Sequence, residues 1–259
     1  MTKPRILFYD IETSPLQAWI WRPGKQVVRH GQLVADHNTY NIICITYCWN
    51  DGKPAKALDW GYNEQSSVKM IEEFDKIIKQ SDITIGKNSD SFDVKHINTQ
   101  RMLAGLPGMP EWAQYTDDLQ KQMKRHFYLP SYTLDYFSEM LGFGGKIKME
   151  MADWIHIVMK TPGLGRKALK KMVTYGKKDV EDTRAIWLKC EKHFTPKFNA
   201  NAVSLNPGMA CRNCGSMDLK LNGVRYQGAS KYQQFFCHTH HGYAGRATIN
   251  KKGALGDIR

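Results

Sequence analysis

The chain has 259 residues, 42% hydrophobic and 11% aromatic. That is enough apolar material for a buried core, and it argues against wholesale disorder. Lys and Arg number 37 against 25 Asp and Glu, a net charge of +12, which favours a polyanionic partner. No amphipathic basic helix stands out, so nucleic acid fits better than an anionic membrane surface. No apolar run approaches the roughly 18 residues that span a bilayer. The start has no secretory h-region or cleavage site, so a cytoplasmic protein is expected. The charge is uneven: residues 192–259 hold ten Lys/Arg and two Asp/Glu, making the C-terminal part the basic one.

Residues 5–12 read as a buried strand that gains acids at its C-terminal end. Residues 13–40 show no clear period and carry Pro15, Pro23, Trp19, Trp21 and Tyr40; a stretch that long is a functional insertion or an extended hairpin. Residues 41–50 form a β-branched and aromatic strand, Asp51-Gly52 a turn, and 56–61 a third strand. Val68, Ile71, Phe74, Ile77 and Ile78 recur at helical spacing over 65–80. A short strand at 83–86 and helices at 93–104 and 133–141 follow. Residues 166–193 read as one long amphipathic helix. This order argues for a mixed α/β sheet with helices on its faces. Residues 194–210, rich in Asn and Pro, read as a linker, 211–247 as a small β-rich module, and 248–259 as a basic tail.

The strongest chemical signal is Asp10-Ile11-Glu12. On a strand, positions i and i+2 face the same side. Two carboxylates on one side of an apolar strand repel and resist burial, and a divalent cation relieves both costs. Two surface acids at a strand end fit that pair alone equally well. Asn88 and Asp93 sit on the turn from a strand into a helix, where α/β sheets place ligands; Asp93 reads equally as a helix cap. Tyr175 and Asp179 are four apart on the long helix and share a face. Asp182 lies near that face and reads as a solvated helix acid.

Taken in order, these residues resemble the DEDD superfamily of 3′–5′ exonucleases, the DnaQ-like branch of the ribonuclease H-like fold, in its tyrosine subclass. Asp10-Ile11-Glu12 is similar to the first motif, Asn88 to Asp93 to the second, and Tyr175 to Asp179 to the third. The string Phe-Tyr-Asp-Ile-Glu-Thr-Ser-Pro-Leu is similar to exonuclease domains of the family B DNA polymerase type. Thr174 departs from the histidine subclass. The resemblance covers roughly residues 4–193 and implies an exonuclease domain over 1–193. It implies that Asp10, Glu12, Asp93 and Asp179 hold two Mg²⁺ or Mn²⁺ ions, that Tyr175 orients a water, and that Asn88 binds the terminal nucleotide or braces the site. Asp117 or Asp118 falls near a further, looser motif position. Gly142 to Lys148 lacks the spacing of a phosphate loop; a plain solvated turn is the leading reading, with Lys146 and Lys148 as candidate contacts to substrate phosphates.

Cys211-Arg-Asn-Cys214 is a knuckle pair, followed by Cys237-His238-Thr239-His240-His241. That spacing suits one tetrahedral Zn²⁺ held by Cys211, Cys214, Cys237 and His240, with His238 or His241 as alternative fourth ligands. The segment resembles a zinc ribbon. Its Arg212, Lys220, Arg225, Tyr226, Lys231, Tyr232, Phe235 and Arg246 mix cations with aromatics, as in surfaces that grip single strands; Arg212, Arg225 and Tyr232 are the leading substrate contacts. Cys44 and Cys48 share a strand face and are expected in the core.

The expected function is a free-standing, metal-dependent 3′–5′ exonuclease on DNA, with single-stranded 3′ ends the leading substrate and the zinc ribbon assisting binding. A role in repair, recombination or replication would fit, in a phage or a bacterium, with the cytoplasm (the host's if phage-encoded) as its location. The alternatives are a ribonuclease or structure-specific endonuclease on the same site, or a non-catalytic binding protein. DNA is favoured over RNA by resemblance, no membrane is expected, and protein partners are open.

Overall fold

A computed structural model of the chain describes residues 4–25, 27–34, 39–110, 113, 116–144, 147–203, 208, 210–250 and 253–258. Its first sheet has four strands: β1 (Ile6–Thr13), β2 (Ile42–Trp49), β3 (Lys56–Asp59) and β4 (Ile83–Ile85). Their order is β3-β2-β1-β4, with β4 parallel to β1 and the other pairs antiparallel. Helices pack on both faces: α1 (Ser67–Ile78), α2 (Asp93–Leu103), α3 (Leu119–His126), α4 (Leu134–Met140), α5 (Met151–Val158) and α6 (Gly165–Cys190). This is the mixed α/β architecture expected from the order of apolar periods.

β1 lies inside the sheet and alternates between two cores, because successive side chains point to opposite faces. Leu7, Tyr9 and Ile11 meet Met70, Ile71 and Phe74 of α1 and Ile97 of α2. Ile6 and Phe8 meet Leu119, Phe137, Val180 and Trp187 on the other side. Thr46 and Cys48 of β2 face α6, where Thr46 Oγ1 donates to the Gly176 carbonyl at 3.0 Å and Cys48 Sγ to that of Val180 at 3.7 Å. Two strand residues span about 6.8 Å and four helical residues about 6 Å, so helix and strand stay in register. The absence of a side chain at Gly176 permits that approach: a Cβ there would lie 2.8 Å from Thr46 Cγ2.

Two helices were not evident from periodicity. α3 shows Leu119 and Met123 as an apolar pair four apart on one face amid Gln, Lys, Arg and His, behind the Asp118 cap; two apolar positions in eight residues are too few to establish a period. α5 is a short apolar run of eight residues, a length at which helix and strand look alike. Within 13–40 the described residues contain one isolated antiparallel bridge, Ala18 to Leu33, and a 3₁₀ turn at His30–Gln32.

The C-terminal sheet is an antiparallel meander of β5 (Leu219–Gln227), β6 (Ser230–Cys237), β7 (Gly242–Ile249) and β8 (Leu255–Ile258). The stretch 248–259, expected as a basic tail, thus contributes a fourth strand: Ala247 pairs with Ile258 and Ile249 with Leu255. An Asn250–Gly253 turn reverses the chain, and Gly253 adopts the positive φ that a side chain disfavours. Much of the expected linker is held firmly. Phe194 stacks on Trp187, Thr195 N–H donates to Gln122, and Lys197 bonds Asp117, Asp90 and the Thr116 carbonyl. Among the described residues no helix is long and apolar enough to cross a membrane.

Candidate functional site

Asp10 pairs across β1–β2 with Thr46, and Glu12 with Cys44, so both carboxylates stand on the face that α6 covers. The close approach at Gly176 brings Tyr175 and Asp179 over them. Asp10, Glu12 and Asp179 each offer a carboxylate oxygen within 4.8 Å of the others. Together with Asn88, Asp93 and Tyr175 they line one cavity of about 380 Å³.

Asp93 belongs to the cavity but not to the tight triad. It heads α2 without acting as a side-chain cap; its Oδ1 accepts from the Ile11 backbone N–H at 3.0 Å. That bond ties the start of α2 to the strand residue between the two acids. Asn88 sits in the left-handed region at φ 63°. Its N–H donates to Asp118 Oδ1 at 3.0 Å, while its carbonyl accepts from Ser91 and Phe92. Gly86 makes this turn feasible, since a Cβ there would lie 2.6 Å from Ser89 Cβ.

The electrostatics are those of crowded acids. Burial pushes the Asp10 carboxyl well above the usual carboxylate range, reinforced by Asp93, Glu12 and Asp179, with Lys87 opposing. Burial raises Asp93 to about 7 against two backbone hydrogen bonds that lower it. The Tyr175 hydroxyl is held protonated by burial, by the charges of Asp179 and Glu12 and by a hydrogen bond with Asp179. Oxygen donors that repel one another at this spacing form a donor set suited to a hard divalent cation.

Several cavity residues escaped the sequence reading: Lys87, Phe92, Thr133, Leu134 and Asp135. Thr133 caps α4 through its side chain and sets Asp135 in the first turn. The available signal was a capping Thr followed by an acid two residues on, with Glu139 rather than a cation one turn later. Asp117 and Asp118 are structural. Asp118 caps α3 by accepting from Gln120 and Lys121, and Asp117 accepts from Gln122 and Lys197. Asp182 is not solvated: it is buried, accepts from Ser138 at 3.0 Å and pairs with Lys178. Lys148 is exposed and does not line the cavity; Lys146 lies outside the described residues.

The second cluster is Cys211, Cys214, Cys237 and His240. Cys211 Sγ lies 3.4 Å and Cys214 Sγ 3.7 Å from His240 Nδ1, and Cys214 Sγ lies 3.6 Å from Cys237 Sγ. A tetrahedral cation about 2.3 Å from sulfur and about 2.0 Å from nitrogen requires S–S edges of about 3.8 Å and S–N edges of about 3.5 Å. Asn213 N–H donates to Cys211 Sγ and Gly215 N–H to the Cys211 carbonyl, closing the knuckle. His238 instead faces Phe236, and His241 occupies a left-handed turn position. Burial pulls the His240 pKa down, but Cys214 and Cys237 outweigh it and leave it at about 9. A cation would therefore take the place of a proton held among sulfurs.

The face of this sheet away from the cluster carries cations over rings. Arg246 sits 4.3 Å from the Tyr232 ring centroid and Lys220 4.9 Å from that of Phe236. Arg225 pairs directly across from Tyr232 and bonds Gln234. Arg212 does not join this face: its Nη2 donates to the Pro196 carbonyl at 3.2 Å, which fastens the knuckle to the preceding segment.

No protein-family model and no curated protein matches the chain. Among solved structures it is similar to the family B DNA polymerase from the hyperthermophilic archaeon Pyrobaculum calidifontis. The TM-score is 0.52 and the identity 16%, over 73% of this chain and 25% of that one. The chain thus spans a quarter of the polymerase's length, and at this identity the likeness is one of fold.

Proposed function

We propose that the chain is a metal-dependent 3′–5′ exonuclease of the DEDD type that shortens DNA from single-stranded 3′ ends, with a zinc-bearing C-terminal module over 211–258 assisting binding. The observation that carries this reading is the convergence of Asp10, Glu12 and Asp179 within 4.8 Å, in a cavity that also holds Asp93, Tyr175 and Asn88. The polymerase-like fold supports it.

Asp10, Glu12, Asp93 and Asp179 would hold two Mg²⁺ or Mn²⁺ ions, which when bound supply Lewis-acid activation of water and stabilisation of the leaving 3′ oxygen. Tyr175 keeps its proton, which it donates to Asp179, and orients the attacking water by accepting from it through the hydroxyl oxygen, since a hydroxyl with a raised pKa is a poor base at neutral pH. Lys87 at the cavity wall meets the phosphate charge. Asn88, fixed by Asp118, braces the terminal nucleotide. The four sulfur and nitrogen donors suit a closed, structural zinc site, because all four positions are filled by protein.

The test is degradation of a 5′-labelled single-stranded oligonucleotide in Mg²⁺. A ladder that shortens from the 3′ end, lost by at least about a hundredfold in Asp10→Ala and Asp179→Ala, is expected. Internal cleavage products, or normal turnover by either variant, would refute the assignment. RNA and duplex DNA in parallel define the substrate.

A further inference from the structure

The segment leaving β1 after Glu12 carries two tryptophans that the core does not use: Trp19 is 77% and Trp21 99% exposed. Isolated exposed apolar residues need no explanation, but a contiguous patch does. Trp19 borders a groove of about 630 Å³ that runs between Pro15 and Ala18 on one side and Met151, Ile155 and Met159 on the other. Those three α5-side residues are themselves exposed. The groove is built on fixed backbone. Trp19 N–H donates to the Gln32 carbonyl at 2.8 Å, Val34 N–H to that of Gln17 at 2.9 Å, and Gln17 Nε2 reaches Met159 Sδ.

The segment that carries the tryptophans has charge of one sign. Residues 14–34 contain Arg22, Lys25 and Arg29 and no Asp or Glu. Asp153 of α5 is already paired with Lys171 at 2.7 Å. A purely apolar partner has no use for the cations, and a duplex offers phosphates but keeps its bases stacked inside. A single strand presents both phosphates and base faces, and aromatic platforms beside cations are how such strands are held. Pro15 is three residues from Glu12, so the groove starts within about 10 Å of the acids.

We propose that Trp19, Trp21 and this groove form a stacking surface for the bases of a single strand whose 3′ end occupies the acidic cavity. This rests on the proposed function and adds to it the site that selects single strands.

The experiment uses the full chain and two probes. A fluorescein-labelled oligothymidylate is titrated without added divalent ion, and its degradation in Mg²⁺ is compared with hydrolysis of p-nitrophenyl thymidine 5′-phosphate, which has one base and engages the acids alone. Trp19→Ala and Trp21→Ala should each weaken oligothymidylate binding about tenfold, as loss of one stacked base does. They should lower kcat/KM on it to match and leave the small ester within about twofold, with Trp→Phe variants recovering most of the loss. Both residues are exposed, so unchanged melting is expected and is checked. Oligothymidylate binding unaltered in the double Ala variant overturns the proposal, including the case where that variant instead loses a protein partner. A wild-type chain that binds through the tryptophans but hydrolyses neither probe refutes the nuclease reading and leaves the stacking surface standing.

Discussion

Gly176→Ala is the substitution that most directly tests how the acids are brought together. A Cβ at this position would lie 2.8 Å from Thr46 Cγ2 and 3.1 Å from its Oγ1. Thr46 is buried in the middle of β2 and cannot swing away. Restoring ordinary contact of 3.4–4 Å therefore requires α6 to retreat by about 0.6–1.2 Å. Ala would gain about 0.5–1 kcal/mol in helix propensity, while overpacking costs about 1–3 kcal/mol. The net is a loss of up to about 2.5 kcal/mol, which lowers Tm by up to about 10 °C for a chain of this size. The effect on activity should be larger. Tyr175 precedes the glycine and Asp179 follows by three, so both retreat from Asp10 and Glu12 with the helix, and a misplacement near 1 Å can cost about a hundredfold. Activity in Mg²⁺ and thermal melting should be measured together. Thr46→Ala removes both crowding atoms and leaves only Cβ at 3.6 Å, so the double variant should recover most of the lost rate, a coupling that a double-mutant cycle reads directly. Wild-type activity in Gly176→Ala, or failure of Thr46→Ala to rescue it, would refute the reasoning.

Among the described residues the C-terminal sheet has a small buried cluster of Cys211, Phe235, Cys237, Ala244 and Ala247, with Cys214 and Leu219 packed against it, so Cys237→Ser or a zinc chelator should release one Zn²⁺ per chain and speed amide exchange in β5–β8 while β1–β4 stay protected; equal protection with and without metal would rule out a structural zinc. Asp93 has a folded pKa of about 7 against an ordinary value of 3.8. Between those values the native state keeps a proton that the unfolded chain has released. Without Mg²⁺, stability should therefore be greatest below about pH 4 as far as this group decides it and fall as pH rises to about 7, and Asp93→Asn should flatten that fall in melting curves. Arg225→Ala with Arg246→Ala should weaken oligonucleotide binding and reduce the slope of log K against log salt by about 1–2. An unchanged slope would remove the outer face of β6 from the binding surface.

Four elements, β1, β2, α1 and α6, were legible because each carries a long or strongly periodic apolar pattern. β1 and β2 are β-branched and aromatic runs, α1 repeats at helical spacing, and α6 does so for 26 residues. The acids were legible because carboxylates on an apolar strand are a local anomaly, visible without any partner. Helix α3 was not, because its helix-forming residues carry only two apolar positions and so show no readable period, and strand β8 was not, because its pairing with β7 decides it. Asp182 and Asp118 show the same limit. A helix acid and a loop acid look alike in sequence whether they meet water, as expected for Asp182, or Ser138 and Lys178, as found.

Residue identity by itself determined the alternation that puts Asp10 and Glu12 on one side of β1, the four-residue step that puts Tyr175 and Asp179 on one side of α6, and the knuckle spacing of Cys211 and Cys214. Those are properties of backbone period, which is local. Which side of the sheet α6 covers, how near it comes, that Asp93 turns to the Ile11 N–H rather than joining the tight triad, and that His240 rather than His238 or His241 meets the three sulfurs were decided by tertiary structure. Each depends on a distance between segments far apart in the chain, and such distances are set by packing: here by a hydrogen atom at Gly176 where any side chain would have held the helix away.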